Sequence, residues 1–451
     1  MATPQSQLAQ APGPRPNFLG GHFWQFRRDP LAFFRQMAQA HGDLSHFRMG
    51  PQHAYFVNHP DLVKDVLVTN HAKFVKGRAL QRAKTLLGEG LLTSEKEYHL
   101  RQRRLVQPAF HRQRLQNYSV MMVDAAGKTS EGWQDGAKID AAHEMMRLTL
   151  AIVGRTLFSA NVEGEAEEVG AAMTTLIEMF DLLLMPFSEI LEKLPLGPSR
   201  RFQKARARLD ETIYRMINER RRSGADAGDL LSMLLLAQDE EGAGDGMTDK
   251  QVRDEALTLF LAGHETTANA LTFTWYLLAR HPEIEARFHA ELDEVLAGRA
   301  PTFADFPRLR YTEMILAEAM RLYPPAWALG RLSLADHELN GYHIPSGSLI
   351  LCSMYMAHRD PRFWPEAEQF LPERWRSENK EKMTPYIYFP FGGGIRRCIG
   401  EGFAWLEGVL LLATLGRHWR LRVAPDYQLS LQPRITLRPK NGLPVTLERR
   451  S

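Results

Sequence analysis

The segment from Thr248 to Arg280 constrains this chain more than any other. Thr248 and Gln251 form a T-x-x-Q capping box, and helical character continues until His281-Pro282 stops it. Roughly 33 residues at ~1.5 Å each give on the order of 50 Å, enough to cross a whole domain. From Ala256 to Leu278 apolar residues occupy most faces, so the helix should be buried. Its middle reads Ala262-Gly263-His264-Glu265-Thr266-Thr267. A glycine, a carboxylate and two threonines inside a buried helix cost stability and need another explanation.

Around this helix the pattern is mainly α with a smaller β portion. Asp29-Pro30 starts a helix that Gly42 stops, and strand-like runs follow around Phe47 and from Tyr55 to Val57. Another helix begins at Pro60 and runs to about Thr69. Helical patterning then dominates to about residue 330, broken by loops at Ser223 to Gly228 and Glu240 to Gly246. Strand signals return over 349–356 and in the last thirty residues. Strands from both ends of the chain need one another, which argues for a single domain over residues 21–451 behind a proline-rich lead-in over 1–20.

Composition excludes several classes. With 56 basic against 53 acidic side chains, the net charge of +3 gives nucleic-acid binding no support. Two cysteines, Cys352 and Cys398, exclude a disulfide scaffold and a four-thiolate zinc site, and fit a reducing compartment. No run approaches the ~18 apolar residues of a membrane span, and the N-terminus lacks a signal-peptide pattern. We expect a cytoplasmic protein with no membrane anchor.

The two cysteines differ in context. Cys352 sits in an apolar strand pattern, which suits a buried structural thiol. Cys398 follows a glycine triplet (Gly392, Gly393, Gly394) and is expected at the start of an apolar helix running to about Leu415. A helix N-terminus and inward-turned amides both favour a thiolate. Gly400 and Gly402 leave a smooth surface for a large flat ligand, and Arg396 and Arg397 could meet its acidic groups. Zinc or an iron–sulfur cluster fails for lack of partner cysteines.

The run from Phe391 through Gly394 and Cys398 to Gly400 resembles the haem-binding loop of the cytochrome P-450 superfamily, F-x-x-G-x-x-x-C-x-G. The sequence Ala262 to Thr267 resembles that family's oxygen-activation motif. Glu318-Ala319-Met320-Arg321 matches its E-x-x-R, and Phe370 to Trp375 resembles F-x-P-x-R-F with tryptophan in the last place. An isolated E-x-x-R would read as a solvated ion pair. Four motifs in the right order, spanning 262–400, are far more specific.

The resemblance implies the cytochrome P-450 fold, with haem b (iron protoporphyrin IX) between the long central helix and the helix after the cysteine loop. Cys398 would be the proximal iron ligand, its thiolate donating electron density that favours O–O cleavage. His99 and Arg103 match the H-x-x-x-R form of the propionate-binding helix, with Arg396 and Arg331 as further propionate partners. Glu318, Arg321 and Arg374 would form a buried structural triad. Ala262 and Gly263 leave room for O₂, with a kink or widened turn expected there. Glu265 and Thr266 would relay protons. The competing readings are a hydroxyl bonded back to its own helix and an ordinary surface carboxylate. His264 reads as a packed or hydrogen-bonded residue.

Substrate contacts are expected from the loop at about 74–92, treated as a mobile wall, and from 180–196, which resembles the family's access lid. Phe260, Ala262, Ala326, Ala328 and Leu329 are further candidates. Their character implies a hydrophobic substrate such as a fatty acid, terpenoid or steroid-like molecule. The implied reaction is monooxygenation, RH + O₂ + two electrons + two protons giving ROH + H₂O, as hydroxylation or epoxidation. No flavin or iron–sulfur segment is recognisable, so a ferredoxin or flavodoxin with its reductase is expected as partner. Arg101, Arg103, Arg104, Arg112 and Arg114, with Arg397, suggest a basic docking face for it. A peroxide-driven peroxygenase, a haem-thiolate isomerase or a non-catalytic haem gas sensor are the alternatives, and none of them needs the acid–alcohol pair.

Overall fold

The computed structural model describes residues 9–16, 20–158, 197–224, 226–239 and 246–450. The expected access lid at 180–196 lies outside the described residues, as do 1–8 and 17–19 of the lead-in and 240–245 of the second loop. The chain forms two compact units. One comprises Met1–Gln81, Arg321–Gln369 and Arg376–Cys398, the other Arg82–Met320, Phe370–Trp375 and Ile399–Ser451.

The first unit is built on a five-stranded sheet. Leu44–Met49 and Gln52–Val57 form an antiparallel hairpin. Gln52–Val57 then pairs in parallel with Leu349–Cys352, putting Val57 opposite Cys352 across nearly three hundred residues of sequence. Leu329–Ser333 and Phe74–Lys76 complete the sheet. The helix Pro30–His41 covers it. Asp29 caps that helix by accepting from Ala32 N at 2.9 Å, and Gly42 ends it at φ +76°. Its inward residues include Leu31, Phe33, Phe34 and Met37, and Phe34 stacks on Phe56 of the sheet at 4.5 Å between ring centroids. Burial of each such side chain contributes roughly 1.5–3 kcal/mol. Cys352 is buried in the sheet, and burial pushes its thiol up to about 12. The strand expected over 349–356 stops at Cys352. Ser353 takes the amide of Met356 and caps a short helix, Met354–Ala357.

The second unit is helical around Asp249–Arg280. The capping box is present: Gln251 N donates to Thr248 Oγ1 at 3.3 Å and Thr248 N to Gln251 Oε1 at 2.8 Å. Phe260, Phe273 and Trp275 are buried along its length. It packs along the helix Ala141–Phe158, while Glu401–Gly416 packs on Arg112–Glu131. A three-stranded sheet joins Lys138–Asp140, Pro444–Arg449 and Trp419–Val423, and a small hairpin pairs Leu431–Pro433 with Leu437–Pro439. Among the described residues, no helix is long and apolar enough to cross a membrane.

Candidate active site

The cysteine loop is closed by its own backbone. Gly392 N donates to Phe389 O at 2.8 Å, Arg397 N to Gly394 O at 3.1 Å and Cys398 N to Phe391 O at 2.9 Å. Gly394 sits at φ +64°, and a Cβ there would lie 2.2 Å from the Leu67 carbonyl oxygen. Only glycine satisfies both conditions. Leu329 lies against the loop at Gly392. Cys398 is exposed at the end of this rigid turn and forms no disulfide.

One expectation needs correction here. The apolar helix begins at Glu401 with Gly400 as its N-cap, so Cys398 precedes it rather than opening it. The reason is the loop closure: the Cys398 amide is turned back to Phe391 and that residue cannot be in a helical turn. A helix dipole acts mainly within its first turn, so the loop carries more of the thiol's environment than the helix does.

Behind the loop, Phe389 N donates to Nε2 of buried His358 at 3.0 Å. The neutral His358 ring therefore carries its proton on Nδ1. Arg321, fully buried, donates to the carbonyls of His358 (2.8 Å), Ala367 (2.7 Å) and Gln369 (2.9 Å), and lies over the Trp364 ring. Arg321 thus supports the cysteine loop through His358. In the second unit, Glu318 accepts from Leu371 N at 3.0 Å, Arg374 Nε at 3.2 Å and Trp375 Nε1 at 2.9 Å. Trp375, which stands where the family motif has phenylalanine, thus gives its N–H to the buried carboxylate.

The central helix runs unbroken through Ala262 to Thr267, without the expected widened turn. Thr266 instead bonds back, its hydroxyl donating to Ala262 O at 2.7 Å. Ala262 is exposed although its helix is largely buried, so this stretch presents a bare face. His264 is buried, with Nδ1 bonded to Phe260 O at 2.9 Å, and burial holds its pKa below the usual value. Thr149 donates to His264 O at 3.0 Å, a tie from the neighbouring helix that sequence did not reveal. Glu265 is also buried and accepts from Thr436 Oγ1 at 2.5 Å, so it is not a surface carboxylate. Beside Thr267, burial pushes the carboxyl of Glu407 up to about 8, with the Thr267 hydroxyl pulling the other way.

His99 and Arg103 share one face of the helix Lys96–Val106. His99 is buried with Nδ1 3.3 Å from Ser94 Oγ, and Arg103 is partly exposed. The stretch 74–92, expected to be a mobile loop, is instead mostly regular, with a strand at Phe74–Lys76 and a helix at Arg78–Leu87. The turn after that helix is clasped by the central helix: Glu89 N donates to Asp254 Oδ2 at 2.9 Å and Leu91 N to Glu255 Oε2 at 3.0 Å. Nothing in this glycine-punctuated stretch signals carboxylates contributed from a helix 164 and 165 residues away in sequence. The basic run is also partly neutralised. Arg101 and Arg104 pair with Asp239 at 3.2 and 3.3 Å, and Arg114 pairs with Asp226 at 3.3 Å.

The remaining candidates fall in both units. Arg331 is buried in its strand and donates to Gly330 O at 3.1 Å, and Arg396 is half-buried at the end of the Gly394–Arg396 turn. Ala326, Ala328 and Leu329 are partly buried, whereas Phe260 belongs to the closed apolar core of the second unit.

The donor set fits one kind of metal group. Among the described residues no three His, Cys, Asp or Glu side chains converge on a metal position. A lone exposed cysteine on a locked loop suits an iron that arrives with its own equatorial nitrogens and needs a single protein ligand. That is the haem-thiolate class, and the comparisons agree. The Cytochrome P450 family profile matches residues 11–444.

The chain belongs to the cytochrome P450 family, and is a haem-dependent monooxygenase. It is 43% identical over 429 residues to the cyclooctatin synthase of Streptomyces melanosporofaciens, covering 95% of this chain and 93% of that protein. It is 41% identical to the cyclooctat-9-en-7-ol 5-monooxygenase of the same organism, over 93% of this chain and 90% of the relative. With the pentalenene oxygenase of Streptomyces avermitilis the identity is 40%, over 92% of both. The crystal structure of the cytochrome P450DA heme domain superposes with a TM-score of 0.88 at 28% identity, covering 99% of each chain.

Proposed function

We propose that this monooxygenase inserts one oxygen atom of O₂ into an apolar terpene-type skeleton, with electrons delivered by a separate ferredoxin- or flavodoxin-type protein. The observation that carries the substrate class is the set of relatives at 40–43% identity, whose names specify an alkene (pentalenene) and an alkene alcohol (cyclooctat-9-en-7-ol). Such molecules offer at most one hydroxyl to bind. The apolar candidates Ala262, Ala326, Ala328 and Leu329 suit them, since apolar contact rather than hydrogen bonding would then supply most of the affinity.

When bound, the haem supplies the centre at which dioxygen is activated. Cys398 would hold the iron from its locked loop, which Phe391 and Gly394 shape and Gly400 follows. By the family resemblance, His99, Arg103, Arg396 and Arg331 would supply the hydrogen-bonding and cationic groups that two propionates require. Glu318, Arg321 and Arg374 act structurally. Ala262 keeps one stretch of helix bare, Glu265 holds a carboxylate beside it, and Thr266 offers a hydroxyl. That hydroxyl rests on Ala262 O and can still accept from a donor on its open side. Of the basic run expected to dock the partner, Arg101, Arg104 and Arg114 are paired with aspartates.

The test combines binding and turnover. Haem-loaded protein is screened against terpene hydrocarbons and alcohols for the low-to-high spin shift. Each hit is then incubated with a surrogate ferredoxin and reductase, with NADPH alone, or with peroxide alone. Oxygenated product only in the first arm is the expected result. Product from NADPH alone would overturn the separate-partner reading, and a screen answered only by fatty acids would overturn the substrate class.

A further inference from the structure

We propose that Thr436 is a positioning residue for Glu265 in proton delivery, an assignment that rests on the relay reading given above. Three buried side chains form a polar chain: Asn269 Nδ2 donates to Thr436 Oγ1 at 3.1 Å, and Thr436 Oγ1 donates to Glu265 Oε1 at 2.5 Å. A threonine hydroxyl has one hydrogen. With Asn269 donating into its oxygen, that hydrogen must point at the carboxylate, so the direction of the chain is set from the amide outwards. The shorter distance marks the Thr436–Glu265 contact as the tighter of the two.

Thr436 is not on the central helix. It stands in the turn between the strands Leu431–Pro433 and Leu437–Pro439, closed by Arg434 N donating to Thr436 O at 3.0 Å. Its neighbour Ile435 packs against the apolar cluster that contains Phe260 of the helix. The turn therefore touches that unit with one apolar and one polar side chain. Glu265 and Asn269 lie four residues apart on one helix face, and Thr436 bridges them. A carboxylate held in this way keeps one rotamer, and its placement next to Thr266 depends on a turn 171 residues away in sequence. Without the hydroxyl, the buried Glu265 side chain loses the donor that holds its rotamer, and must either swing toward another donor or stay short of one. Either change alters proton supply to Thr266 while leaving the iron ligand untouched.

The experiment uses haem-loaded Thr436→Val, which keeps shape and loses the hydroxyl, and Thr436→Ser, which keeps the hydroxyl. The first readout is the infrared carboxylate band of Glu265 in the resting protein, identified by difference against Glu265→Gln. The band should shift in Thr436→Val and return to the wild-type position in Thr436→Ser. The second readout is product formed per NADPH and its solvent isotope effect. Thr436→Val should lower coupling several-fold, Thr436→Ser should restore it, and Thr436→Val combined with Glu265→Gln should be no worse than Glu265→Gln alone. An unshifted band in Thr436→Val overturns the proposal. Normal coupling in Glu265→Gln would overturn the relay reading instead, and the band would still decide whether Thr436 places the carboxylate.

Discussion

The indole N–H of Trp375 donates to Oε2 of Glu318 at 2.9 Å, deep beside a carboxylate whose other oxygen takes the Leu371 amide and the Arg374 guanidinium. Phenylalanine, the usual residue of the family motif here, has a ring but no donor. Trp375→Phe should therefore remove one hydrogen-bond donor from a fully buried carboxylate. The expected cost is about 1–3 kcal/mol, read as a lowered urea midpoint with haem content retained. An unchanged midpoint would show that the bond adds nothing.

Gly394→Ala meets two obstacles together. The backbone is at φ +64°, and the new methyl would lie 2.2 Å from the Leu67 carbonyl oxygen. Left-handed strain alone costs roughly 1–2 kcal/mol, and a backbone oxygen cannot move aside cheaply. The haem-to-protein ratio on purification should fall sharply. Gly136→Ala, with φ +74° and nothing within 4 Å of the added carbon, should lose only the conformational part and keep its haem.

Glu407 makes stability depend on pH in a definite direction. Burial raises its carboxyl from 4.5 to about 8, so between those values the folded protein keeps a proton that the unfolded chain has released. Stability from this group must fall as pH rises through that window and level off above it. Glu407→Gln should match wild type in thermal midpoint at about pH 5 and exceed it at about pH 9. Parallel curves for the two proteins would refute the assignment.

Thr266→Ala should bind haem and substrate normally but separate oxygen reduction from product formation. An apolar pocket offers no bulk water, so a fixed hydroxyl must accept a proton on one side and donate on the other. Replacing it with a methyl should lower product per NADPH by roughly ten-fold or more, with hydrogen peroxide released in its place. Unchanged coupling would mean that another group, or an ordered water, carries the protons.

Local signals were legible wherever they rest on nearest-neighbour chemistry. The Thr248–Gln251 box, the Gly42 stop and the glycine-bearing cysteine loop all stand where residue type and spacing put them. The differences arise where a loop closure or a competing cap decides an element's end, and where a distant segment supplies a partner. The helix after Cys398 starts at Glu401 because the Cys398 amide returns to Phe391, and the strand after Leu349 ends because Ser353 caps a helix. Thr436, Asp254 and Glu255 act on residues more than 150 positions away, and no periodicity reports such a contact. Thr266 rests in the back-bonded state that the sequence already offers as the competing reading, a common one for a helical threonine.

The central claim is that Cys398 is the iron's thiolate ligand. The most direct measurement is the absorption spectrum of the reduced carbon monoxide adduct of Cys398→Ser beside Cys352→Ser. Thiolate ligation gives a red-shifted Soret band. Cys352→Ser, altering a thiol sealed in the sheet, should keep that band, and Cys398→Ser should lose it while still binding haem. A red-shifted band retained in Cys398→Ser would contradict the assignment.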